Sequence, residues 1–303
     1  MRLGFLTNIT HASALVGLKE GFFTKDLGSA GTLKPTAFST GTEETTALLA
    51  GQLDAAYVGP NPAINAWQKS SGSAIKIISG AATGGASVVV AKGISSASQL
   101  KGKTLATPSL GNTQDVALRY WLKQNGLATT STGGGDAFIK PTTPNSAAVL
   151  EFKSGQIAGG SEPAPYDIEM VKDGGTVLLS ETGVTTLLVV TQSFLSAHPA
   201  IVADLVKAQV QANDFIKSSP AAAQADANAE LGSYTGKPLK ASIVAAAFKE
   251  ITFTNDPDAS SLTSDASQAQ SLGLLKPVNL SGIFDLGPLN TALAAAGESQ
   301  VSS

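Results

Sequence analysis

The chain has no cysteine, which excludes disulfides, thiolate metal sites and cysteine nucleophiles. Its two histidines, His11 and His198, are too few for a histidine-rich metal site. Arginine is as scarce: of 20 basic residues only Arg2 and Arg119 are arginines. A multi-arginine clamp for phosphate or a dicarboxylate is therefore out of reach. An anion would have to be met by neutral donors and helix ends, with at most a lysine to help. Charged residues are 14% of the chain and the net charge is −3, so no electrostatic case exists for nucleic acid. No apolar run reaches the roughly 18 residues of a membrane span. The chain opens on a strand, Arg2–Thr7, without a signal-peptide pattern, so export implies a leader trimmed away.

What is present is a core-forming composition, 43% hydrophobic over 303 residues, long enough for two domains. The first half alternates strand and helix patterns, which predicts mainly parallel sheets flanked by helices. Apolar strand patterns at Leu3–Leu6, Leu33–Phe38, Ala55–Val58 and Ile75–Gly80 are separated by helical ones. The alternation restarts at Thr104 and runs to Thr191. From Pro199 onward the texture changes to Ala-rich helices.

The segment from Thr104 to Asp115 carries the most chemical information. It reads as a short strand, a tight loop at Gly111 and a helix capped by Asn112. Leu118, Trp121 and Leu122 give that helix a core face, and Asn125-Gly126 stops it. Its first-turn N–H groups, with Thr113 and Gln114, form a ready anion site at a strand end. Similar polar helix starts recur at Ser39–Glu43, at Gly59-Pro60-Asn61-Pro62, at Thr142–Pro144 and at Ser161-Glu162-Pro163. At the second, Asn61 is the expected cap and Pro62 the first helical residue. Ligands of open α/β sheets sit outside the carboxyl ends of the strands, so these starts predict one donor-lined cleft. Arg119 is expected to pair on the surface, and Trp67 and Trp121 to lie in the core. The loop Thr83-Gly84-Gly85-Ala86 is Gly-rich but lacks the lysine–serine pair of a phosphate loop.

The residues Thr7–Phe23, ending in Gly-Phe-Phe, resemble the opening of the sulfonate/nitrate/taurine substrate-binding proteins of ABC importers (aliphatic-sulfonate-binding-like, NMT1/THI5-like). Leu49–Ala63, with Leu53-Asp54-Ala55, resembles a second signature of that family, and Leu100–Arg119 a third. Glu162-Pro163 stands where the family has a Glu-Pro step. The resemblance covers about residues 3 to 290. It implies an α/β, two-lobed periplasmic-binding-protein-like fold of the type II venus-flytrap class. Lobe one would be residues 1–91 plus 189–303 and lobe two 92–188, with crossovers near 91–93 and 187–191. Carried over by position, the pocket would include Thr10, His11, Thr40, Gly41, Thr42, Asn61, Thr83, Asn112, Thr113, Gln114 and Glu162. Ala164 and Pro165 follow Glu162 in place of a common aromatic neighbour.

The implied function is capture of a small anionic organic or inorganic solute, sulfonate favoured over nitrate. Its partner would be an ABC permease in the membrane. The resemblance implies an extracytoplasmic monomer, periplasmic or lipid-anchored, that is not an enzyme and needs no cofactor or metal. The alternative is a same-fold enzyme or binder for a pyrimidine or thiamine precursor or an aromatic acid. The thiamine branch uses cysteine and histidine, and this chain has no cysteine. A hydrolase would need a nucleophile and base, and no Gly-x-Ser-x-Gly elbow occurs. A transcription-regulator effector domain would need a DNA-binding module ahead of the first strand.

Overall fold

The computed structural model describes residues 1–28 and 31–303. Its elements run β1 (Arg2–Leu6), α1 (Ala12–Lys19), α2 (Phe22–Leu27), β2 (Lys34–Phe38), α3 (Gly41–Leu49), β3 (Ala55–Val58), α4 (Pro60–Lys69) and β4 (Ile75–Gly84). The second group is β5 (Ala86–Val90), β6 (Thr104–Thr107), α5 (Thr113–Gln124), β7 (Phe138–Pro141), α6 (Asn145–Lys153), β8 (Gly159–Pro163), α7 (Tyr166–Lys172) and β9 (Thr176–Ser180). The chain then returns through β10 (Val184–Thr191), α8 (Gln192–Ala197), α9 (Pro199–Ser218), α10 (Pro220–Thr235), α11 (Ala241–Glu250), β11 (Ile251–Phe253), α12 (Ala259–Ser271) and α13 (Gly287–Ala296).

Two sheets result. One has the order β11-β4-β10-β3-β1-β2, the other β7-β6-β8-β5-β9. Each belongs to one lobe. The parallel pairs expected from βαβ alternation are present: β1 with β2 and β3, and β6 with β7 and β8. The strands next to the crossings run the other way. β10 is antiparallel to β3 and β4, and β5 is antiparallel to β8 and β9. The reversed strands are β5, β10 and β11; β1–β4 in one sheet and β6–β9 in the other each run in one sense, so each sheet is mainly parallel in strand direction with the reversed strands added.

The crossings fall one strand away from the expected positions near 91–93 and 187–191. β5 already belongs to the second sheet and β10 to the first. The chain therefore passes between sheets at Gly84–Gly85 and again at Glu181–Gly183. Both glycines of the first crossing have positive φ, 70° and 73°, and a Cβ on Gly84 would stand 2.7 Å from the Glu250 carbonyl oxygen. Only glycine tolerates both the backbone sign and the close approach. The two crossings are tied side by side, with the Gly84 N–H donating to the Gly183 carbonyl at 2.9 Å. The Thr185 hydroxyl also donates to the Gly84 carbonyl, at 2.8 Å.

The first sheet packs Leu3, Phe5 and Tyr57 against α1, α9 and α10 on one face, and Ala56, Val58 and Ile77 against α4 and α12 on the other. The second sheet packs Val88, Val90 and Leu105 on Leu118 and Leu122 of α5, and Val89 and Ala106 on α6 and α7. Val116 of α5 inserts into the core of lobe one. Lys123 on the same helix donates to the Ser271 carbonyl of α12 at 2.6 Å. These contacts hold the two lobes together beside the cleft.

Candidate functional site

The cleft lies where helix N-termini from both lobes meet. From lobe two comes α5. Asn112 caps it, accepting the Asp115 N–H at 2.8 Å, and its amide donates to Gln114 Oε1 at 3.2 Å. The cap is thus spent on the helix. Thr113, the first helical residue, is 6% exposed, and its hydroxyl has no hydrogen-bond partner among the described residues. It faces the first turn of α4 across the lobes: a Cβ on Gly59 would lie 2.6 Å from Thr113 Oγ1. Gly59 leaves the space in which that hydroxyl sits.

Behind the loop stands a buried ion pair. Asp115 accepts from Arg119 Nε at 2.8 Å, from the Gly111 N–H at 2.7 Å and from the Thr107 hydroxyl at 3.2 Å. Burial pushes the Asp115 carboxyl up from its ordinary range, against the pull of Arg119 and of the Gly111 N–H. Arg119 is 1% exposed, so the expectation of surface pairing is corrected. The i, i+4 spacing lets it reach Asp115, and its Nη1 donates to the Thr130 carbonyl.

From lobe one come α3 and the turn after β1. Thr40 caps α3, its hydroxyl accepting the Glu43 N–H at 3.2 Å, and Gly41 lines the cleft. Helix α4 begins at Pro60 with Gly59 as cap. The expected cap at Asn61 is therefore wrong by two residues: Asn61 sits in the first turn and donates weakly to the Asp265 carbonyl at 3.4 Å. Prolines at 60 and 62 remove two N–H donors, so α4 offers an anion less than α3 and α5 do. His11 lines the cleft and is 1% exposed. The Leu6 N–H donates to its Nδ1 at 3.2 Å, and burial pushes its pKa down to about 3. The ring is neutral, and with Nδ1 accepting, its hydrogen is on Nε2.

Six of the expected residues converge on the cleft: Thr10, His11, Gly41, Asn112, Thr113 and Gln114. Thr40 stands beside them as a cap. Thr42 Oγ1 meets Ser109 Oγ of the other lobe at 3.1 Å near the mouth. Asn61 turns to α12, and Thr83 is a strand residue paired with Val184 and Thr252. Glu162 lies within β8 rather than opening a helix. It shares a sheet face with Val89, under α6 and α7, by strand alternation. It is fully buried and neither oxygen has a partner among the described residues. Burial first, then Asp167, pushes it well above the usual carboxylate range. Its neighbour Pro163 lines the cleft instead.

Sequence reasoning missed Asn8, which accepts from the Thr10 hydroxyl at 2.6 Å, and Thr185, which enters the cleft from β10. The Thr7-Asn8 step ahead of a helix was a usable cap signal; nothing local marked Thr185. Among the described residues, none that lines the cleft is charged at neutral pH. The enclosed space is about 20 Å³, room for about one water. A larger groove of about 530 Å³ lies outside lobe one between Trp67, Lys76 and Asn279. It holds none of the expected residues, and its indole N–H is already spent on the Asn279 carbonyl at 2.8 Å. Among the described residues no group of three or more His, Asp or Glu could hold a metal, and no helix is long and apolar enough to cross a membrane.

The sequence profile of the NMT1-like family matches residues 1–231. The chain belongs to the NMT1-like family. No curated protein matches it. Among solved structures it is similar to the alkanesulfonate-binding protein SsuA from Xanthomonas axonopodis pv. citri bound to MOPS. The TM-score is 0.78 at 16% identity, over 95% of this chain and 98% of that one. The periplasmic nitrate-binding protein NrtA from Synechocystis PCC 6803 superposes with a TM-score of 0.81 at 13% identity, over 97% and 88%. A DSZB mutant in complex with biphenyl-2-sulfinic acid gives 0.68 at 16% identity, over 97% and 99%. At these identities the likeness is one of fold, and it agrees with the two-lobed architecture seen here.

Proposed function

We propose that this NMT1-like chain is the solute-binding component of an ABC import system, capturing a small anion, sulfonate-like before nitrate, between its lobes. The observation that carries this reading is the Thr113 hydroxyl, buried without a partner among the described residues at the start of α5 and aimed across the cleft. A buried hydroxyl left unpaired costs free energy unless something accepts from it. Around it are the orphan N–H groups of α3 and α5, which favour negative charge, and the Nε2–H of neutral His11. The crossings at Gly84–Gly85 and Glu181–Gly183 act as the hinge, and the lobes must part to admit a solute larger than about one water. Extracytoplasmic location, a permease partner and a monomeric state accompany this reading. The similar SsuA and NrtA structures support it through what their names say they bind.

An enzymatic reading finds less support. The chain has no cysteine, and among the described residues the one titratable side chain lining the cleft is a histidine whose Nδ1 is already accepting. The test is a thermal-shift panel of ethanesulfonate, nitrate, bicarbonate, benzoate and a neutral pyrimidine. A ligand at 100 times its Kd stabilises by about 2.7 kcal/mol. Ethanesulfonate is expected to raise the Tm; a shift with the pyrimidine alone would overturn anion capture.

A further inference from the structure

Gly59 is the cap of α4 and lines the lobe-one wall of the cleft. Its backbone angles, φ −68° and ψ 157°, are ordinary for any residue, so the backbone does not call for glycine here. The surroundings do. A Cβ at this position would lie 2.6 Å from Oγ1 of Thr113, the first residue of α5 in lobe two. Everything else leaves room: Pro62 Cδ and Thr113 Cβ would both stand at 3.7 Å, an ordinary contact. Gly41, also in the cleft wall, is limited instead by Pro62 of its own lobe, at 2.8 Å. Away from the two crossings, Gly59 is the one glycine among the described residues whose added Cβ would come within 3.0 Å of the opposite lobe.

The contact lies between the two ends of the cleft. At the inner end, Thr185 donates to the Gly84 carbonyl of the first crossing, and Pro163 pairs with Ala86 just beyond it. At the mouth, Thr42 Oγ1 meets Ser109 Oγ at 3.1 Å. The walls are joined covalently only through the crossings, so a swing that admits a solute separates Gly59 from Thr113. Thr113 Oγ1 has no hydrogen-bond partner among the described residues, so contact alone limits the approach here.

We propose that residue 59 is the stop that sets how far the lobes close, glycine being the residue that lets α5 bring its Thr113 hydroxyl up to the first turn of α4. The inference rests on the two-lobed capture reading. An added methyl group would have to move from 2.6 Å to ordinary contact at 3.4 Å, parting the walls at this point by about 0.8 Å. A hydrogen bond of about 2.8 Å stretched by that much is no longer one. A solute held by lobe one would then lose the Thr113 donor, although Thr113 itself is intact. Gly59 is thus a positioning residue, acting through Thr113.

The absence of cysteine gives a clean background for the test. Thr46 of α3 and Ser146 of α6 are exposed. Thr46 stands one turn after Thr42, and Ser146 follows Thr143, whose hydroxyl donates to the Pro108 carbonyl at 2.7 Å. Thr46→Cys and Ser146→Cys, spin-labelled, report the width of the mouth by pulsed electron resonance, in buffer and then with ethanesulfonate. Gly59→Ala should melt close to wild type, since lobe one has room for the methyl group, yet show longer distances and bind ethanesulfonate at least about tenfold more weakly. Thr113→Ala in the Gly59→Ala background removes Oγ1 and should restore the wild-type distances without restoring affinity. Thr113→Val in that background keeps a methyl group in the hydroxyl's place and should not restore them. Gly59→Ala closing like wild type, or the Gly59→Ala/Thr113→Ala double variant staying as wide as Gly59→Ala, would overturn the stop. The double variant also decides the matter if Gly59→Ala folds poorly, because relief by Thr113→Ala is then read in the melting temperature. Ethanesulfonate separates the two readings. Distances that follow residue 59 but ignore ethanesulfonate keep the stop and lose sulfonate capture. Lobes that close equally on ethanesulfonate in wild type and Gly59→Ala keep capture and lose the stop.

Discussion

Two helices open on opposite walls of the cleft, and each carries a fully buried carboxyl one turn in: Asp115 on α5 and Glu44 on α3. Their surroundings differ. Asp115 has Arg119, a backbone N–H and a hydroxyl. Glu44 packs against Gly4, with neither oxygen partnered among the described residues. Burial pushes Glu44 well above the usual carboxylate range. One wall therefore keeps a charge inside by pairing it; the other keeps a carboxyl inside by leaving it neutral. In both, no uncompensated negative charge stands behind donors that await an anion.

The largest effect is expected from breaking the pair. Arg119→Met leaves the buried Asp115 without its cation, which typically costs about 3–5 kcal/mol, read by urea unfolding at pH 7. Adding Asp115→Asn should recover much of that loss.

Next comes pH dependence, where the two kinds of buried group have opposite signs. His11 has its pKa lowered from 6.5 to about 3, so the unfolded chain binds the extra proton between those values. Stability present above pH 6.5 is lost as pH falls through this window, at up to about 1.4 kcal/mol per pH unit. Glu44 has its pKa raised, so its contribution is complete below about 4.5 and is lost as pH rises toward the raised value. Glu44→Gln should flatten the alkaline side of the melting-temperature profile and leave the acid side unchanged. An unaltered alkaline slope would show that Glu44 is not the group responsible.

The smallest effect on stability, but not on binding, belongs to Thr113→Val. Removing an unpartnered hydroxyl should change the Tm by little, because no internal hydrogen bond is lost. Ligand affinity should also depend weakly on ionic strength, since neutral donors rather than lysines line the cleft. Titration in low and high salt checks this.

The α5 wall was readable from sequence because its determinants are local: an Asn cap, a turn glycine and an apolar helical period lie close together in the chain. Asp115 and Arg119 also stood at the i, i+4 spacing, yet burial depends on what packs over them, and that comes from elsewhere in the chain. The crossings were harder to place. Val88–Val90 and Leu187–Val190 are apolar strands that read alike in either sheet, and only the paired glycines at 84 and 85 marked the first crossing. The short strand β11 and the Ser- and Gln-rich helix α12 gave weak patterns, although α12 closes one side of lobe one. Glu162 was legible as unusual, but its strand position and its burial under α6 and α7 follow from the sheet, not from its neighbours.

The account turns on Thr113 offering its hydroxyl to an anion held between the lobes. The direct measurement is calorimetric titration of wild type and Thr113→Val with ethanesulfonate, both variants first shown to melt alike. A hydrogen bond to a charged group is worth roughly 1.5–3 kcal/mol, so affinity should fall by about ten- to a hundredfold. Equal affinity in the two folded proteins would contradict the account and reduce the start of α5 to a capped helix.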